Sequence, residues 1–141
     1  MRARFETRLV KATVFRAASI ERWKDAQCLH AAGRFQGAIY LCGYALECEL
    51  KYCVCEAQGI ERIDERVVKK LGHGLAELLD RAGRRQSLSR NRDLWLAFQA
   101  ITSRWSTEIR YSGYGSGSSE SERFLSDCRA LMLWLKTESK S

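Results

Sequence analysis

The chain has 141 residues, 45% hydrophobic and 29% charged, with 24 Lys and Arg against 17 Asp and Glu, giving a formal charge of +7. Such a length suits one domain that buries its core without needing disulfides or metal, and the basic balance permits a polyanionic partner without specifying one. No apolar run approaches the roughly 20 residues of a membrane helix, and the basic start, Met1 to Ala12, leads into no signal-like apolar stretch, so the reading is a cytoplasmic protein with no membrane segment.

Residues 1–14 read as a basic N-terminal extension, 15–137 as one helical bundle and 138–141 as a frayed tail. Helical periodicity runs through the long segments, proline is absent, and no alternating run is bounded by turn dipeptides, which argues against a sheet. The expected fold is therefore all-α, an antiparallel bundle of about four to five helices.

The first helix is expected over Phe15 to Ala32, with Trp23, Ala26 and Leu29 or His30 on one side and Gly33 as a C-terminal cap. The second, Phe35 to about Ala57, carries two apolar rows, one through Phe35, Ile39, Cys42, Leu46, Leu50 and Cys53 and one through Ala38, Leu41, Ala45, Cys48, Tyr52 and Cys55. Two rows mark a central helix. Its narrow polar strip holds Gln36, Tyr40, Glu47 and Lys51, with Glu47 one turn before Lys51 as a solvated or structural ion pair.

A charged stretch follows Gly59, with a helical turn expected at Val67, Val68 and Leu71, and then a short helix with Leu75, Leu78, Leu79 and Ala82 ends at Gly83. Arg84 to Asp93 reads as an exposed basic loop. A core-facing stripe of Leu94, Phe98, Ile101 and Trp105 marks a helix from Asp93 to Glu108, a Gly/Ser stretch covers 112–118, and Ser119 with Glu122 forms a capping box for a last helix to Lys136. The six cysteines, at 28, 42, 48, 53, 55 and 128, include no CxxC pair and read as buried free thiols; no metal and no cofactor are expected.

The segments GRFQGAIYLCGYALECELKYCV, HGLAELL and RWSTEIRY, in this order, resemble the HEPN domain, and the likeness extends roughly from Ala17 to Lys136. Within GYALECELK, residues Gly43, Tyr44, Glu47, Leu50 and Lys51 stand where such domains often carry the same residue types. The resemblance implies a helical bundle that dimerises, with its site at the dimer cleft, and in many members a metal-independent ribonuclease with an Arg-x4-6-His signature. That signature is missing: Arg110 is followed by YSGYGSG, and the histidines are His30 and His73.

Cleavage through the 2′-hydroxyl needs a group that exchanges protons near neutral pH, which Tyr does poorly. His73, at a helix start, is either a neutral base or a capping residue, and Glu108 is a further acid–base candidate beside Arg110. Tyr111 and Tyr114 loosely resemble the tyrosine that a partnered nucleotidyltransferase modifies in some family members. The RWSTEIRY block equally reads as a packed helix end, with Arg104, Glu108 and Arg110 in a local charge network.

Three functions follow. The first is a HEPN-like accessory or regulatory protein of a defence or toxin–antitoxin system, binding RNA or a nucleotide through a basic cleft with Arg104, Arg110, Tyr111, Tyr114 and Lys51. The second is a metal-independent endoribonuclease toxin using Arg110 with His73 or Glu108. The third is an interaction subunit that docks a neighbouring nucleotidyltransferase or defence protein.

Overall fold

A computed structural model of the chain describes residues 10–64, 66, 69, 74–105 and 117–137. The described residues form α1 (Thr13–Ala31), α2 (Phe35–Ala57), α3 (Leu75–Arg81), α4 (Arg85–Ser89), α5 (Arg92–Arg104) and α6 (Ser118–Thr137), with a two-residue antiparallel ladder of β1 (Val10–Lys11) and β2 (Arg62–Ile63). The fold is an all-α helical bundle, as the periodicity implies.

The central helix is α2. No residue from Phe35 to Cys55 is exposed, and α1, α3 and α6 all pack on it. Both apolar rows are used at once, which is why the helix needs neighbours on several sides. Each large aliphatic side chain taken from water contributes roughly 1.5–3 kcal/mol, and Ile39, Leu46 and Leu50 are wholly buried here. Leu79, Leu88, Phe98, Leu131 and Leu135 converge on Leu46 and Leu50 from α3 to α6.

The chain reverses between α1 and α2 at Gly33, whose φ of +80° is open to glycine at little cost. The Arg34 amide then reaches back to the Leu29 carbonyl at 2.8 Å. At the start of α5, the Asn91 side chain accepts the Leu94 amide at 3.2 Å, an N-cap that fixes the corner after α4.

Several expectations are corrected. The extension does not last to residue 14: Val10 and Lys11 pair with Ile63 and Arg62, Ala12 and Phe15 enter the core, and α1 begins at Thr13. Arg84 to Asp93 is not a plain exposed loop, because Leu88 is buried and draws residues 85–89 into α4, while Arg84 itself is buried. Cys28 is exposed, unlike the other five thiols. The last helix starts at Ser118, with the Ser121 amide bonded to the Gly117 carbonyl, so Ser119 lies inside the first turn instead of capping it. The turn expected at Val67, Val68 and Leu71 lies outside the described residues.

Candidate functional site

The α5 helix ends at Arg104, short of the expected Glu108, because Trp105 turns extended (φ −96°, ψ 130°) and lays its indole on α2. The seat is Gly43. A Cβ at that position would lie 2.2 Å from the indole nitrogen, so only glycine admits the ring this close. The indole N–H donates to the Tyr40 carbonyl at 3.0 Å, Tyr40 stacks on the ring at 6.3 Å, and Tyr44 meets it edge-on at 6.2 Å. Trp105 is thus a packed anchor, offering its polar handle to backbone and its faces to tyrosines. GYALECELK and the start of RWSTEIRY touch at this point.

Beside the anchor, Arg104 is ion-paired through Nε with Glu120 at the start of α6. Of the other candidate residues, His73, Glu108, Arg110, Tyr111 and Tyr114 lie outside the described residues. His30 is half-buried; its Nδ1 lies 2.8 Å from the Ser121 hydroxyl and its ring tilts against Phe35, which ties the end of α1 to α6.

Lys51 does not present its ammonium to solvent. Its side chain is 6% exposed, Nζ lies 2.9 Å from a Glu47 carboxylate that is 2% exposed, and the Phe15 ring is 6.0 Å away. Of the two readings of this pair, the structural one holds. A phosphate would have to displace a buried carboxylate to reach Lys51, so Lys51 is not an accessible cation.

A second buried ion pair escapes sequence reading. Glu49 is fully buried and receives Arg16 of α1, whose Nε donates at 3.1 Å while its guanidinium covers the Tyr52 ring at 4.1 Å. The available signal was a carboxylate lying between the two apolar rows of α2, which requires a partner. Arg84 is likewise buried, donating to the Leu135 carbonyl at 3.2 Å with Glu56 at 3.8 Å.

Burial also sets the thiols. Desolvation pushes Cys48 and Cys53 up to about 11, with neighbouring carboxylates adding to it, and raises Cys55 and, well above its usual value, Cys128, which contacts Cys42. These groups stay protonated at neutral pH and are poor nucleophiles. Among the described residues no group of three or more His, Cys, Asp or Glu could hold a metal ion, and no helix is long and apolar enough to cross a membrane.

Comparison with protein-family models, with curated proteins and with solved structures returns no match.

Proposed function

We propose that the chain is a HEPN-like accessory or regulatory protein that binds RNA or a nucleotide in a basic cleft, in a cytoplasmic defence or toxin–antitoxin setting. The observation that supports this reading is the seating of Trp105 on Gly43. It joins the two blocks that carry the HEPN resemblance, and Glu108, Arg110 and Tyr111 follow Trp105 in the sequence. The charge of +7 supplies the long-range attraction that a polyanion needs. A homodimer belongs to the same proposal, since the cleft of the family lies between two copies.

Incubating the protein and its Arg110→Ala variant with a labelled RNA pool and a chelator, over a range of salt, tests the reading. Retention that weakens with salt, without cleavage, is the expected result. Arg110-dependent cleavage would replace it with the endoribonuclease reading. Neither retention nor cleavage would leave the protein-docking reading.

A further inference from the structure

Where the β1–β2 ladder meets the last turns of α2, a cavity of about 490 Å³ is lined by Lys11, Tyr52, Cys55, Glu56, Ile60 and Arg62, among others. Small organic ligands occupy clefts of this size. The cavity lies away from Trp105, because Gly43 and Cys55 are separated by twelve residues of α2, about 18 Å at 1.5 Å per residue.

The ladder sets the charged wall. Ile63 is 1% exposed and turns into the core, and successive residues of a strand point to opposite faces, so Arg62 turns outward. Lys11 is its partner across the ladder and shares that face; both are exposed. Two cations directly opposite each other repel, and this ladder is only two residue pairs long. Among the described residues neither cation has an ion-pair partner. Of the carboxylates in the wall, Glu56 lies 3.8 Å from the buried Arg84 guanidinium, which leaves Glu61 to oppose the pair. The rest is apolar: Cys55 is buried, Ile60 is half-buried, and the half-buried Tyr52 ring is held by the Arg16 guanidinium 4.1 Å over it.

We propose that this cavity binds a small phosphomonoester with a planar apolar body, its phosphate between Lys11 and Arg62 and its body against Tyr52 and Ile60. A phosphomonoester carries close to two negative charges at neutral pH, which offsets the repulsion of the facing cations. The arginine fork takes two of its oxygens and the lysine ammonium a third, while an aromatic ring and an aliphatic side chain suit a flat apolar group. The site stands apart from the RNA-binding reading, since it uses none of Arg104, Arg110 and Tyr111.

Isothermal titration calorimetry at fixed ionic strength tests it, with phenyl phosphate, inorganic phosphate and phenol as probes on the wild-type chain, Lys11→Gln/Arg62→Gln and Glu61→Gln. Thermal unfolding of each chain is recorded without ligand. Phenyl phosphate is expected to bind the wild type, inorganic phosphate about tenfold more weakly or less, and phenol not at all. The double variant is expected to bind phenyl phosphate about tenfold more weakly, yet to unfold no lower than the wild type because the facing charges are gone. Glu61→Gln, which leaves both cations in place, is expected to bind several-fold more tightly. Absence of phenyl phosphate binding, or equal binding by the wild type and the double variant, overturns the site. Equal binding of inorganic and phenyl phosphate overturns the apolar body, and weaker binding in Glu61→Gln overturns the assignment of an anion. RNA retention by any of these chains bears on the reading above and not on this cavity.

Discussion

Trp105 rests on Gly43 with its indole nitrogen 2.2 Å from where a β-carbon would stand, so the α5 end and the centre of α2 are fitted to each other by the absence of one methyl group. Gly43→Ala expels the ring, since the helix backbone cannot yield. The expected cost is roughly 1–3 kcal/mol in urea denaturation, as for other overpacked sites. Trp105→Ala leaves room for the methyl group, so the double variant is expected to lose less than the sum of the two single losses. Strict additivity would mean that the ring and the glycine do not depend on each other.

The Glu47 and Lys51 pair makes an asymmetric prediction. Lys51→Met removes the ammonium that faces a carboxylate only 2% exposed and is expected to lose about 3–5 kcal/mol, whereas Glu47→Leu/Lys51→Met recovers most of that loss. The folded double variant is expected to bind RNA like the wild type. A marked loss of RNA affinity in it would show that Lys51 reaches the ligand after all.

Arg84 ties the start of α4 to the last turn of α6 through the Leu135 carbonyl. Arg84→Met removes a charged donor from a buried acceptor, with an expected cost of about 1–3 kcal/mol. Hydrogen exchange should quicken in the last turn of α6 before it does in α2. Unchanged protection there would assign the arginine's importance to Glu56 alone.

Thiol burial sets an alkaline limit. Cys48 and Cys53 stay protonated in the folded chain up to about 11, against an ordinary value of 9.0. Between those values the unfolded chain gives up protons that the folded chain keeps, so the unfolded state binds fewer protons and stability falls as pH rises. The contribution is intact below about pH 9 and lost by about pH 11. Urea midpoints across this window should shift less in Cys48→Ala/Cys53→Ala than in the wild type.

Much of the bundle was legible because its signals are local. Two apolar rows place α2 at Phe35–Ala57 and Gly33 marks the turn before it, both as found. What escaped depends on distant partners. Glu49 is acceptable in the core because Arg16, 33 residues away, meets it; Arg84 is buried because α6 offers a carbonyl; β1 pairs with a strand some 50 residues later. At the candidate site, Gly43 and Trp105 were visible as motif residues, but their mutual fit is a tertiary fact. Lys51 in a polar strip looked available, and only Phe15 and Glu47 packed around it show that it is enclosed.

The distribution of cysteines also equips the molecule with its own clock for opening. Cys28 sits in solvent on α1, while Cys42, Cys48, Cys53 and Cys55 are spaced along the enclosed face of α2, and Cys128 faces Cys42 from α6. A thiol reagent should therefore mark Cys28 at once and each of the others only as fast as its own stretch of the bundle breathes. Read residue by residue in mass spectrometry, the order of modification would reveal which helix departs first from α2.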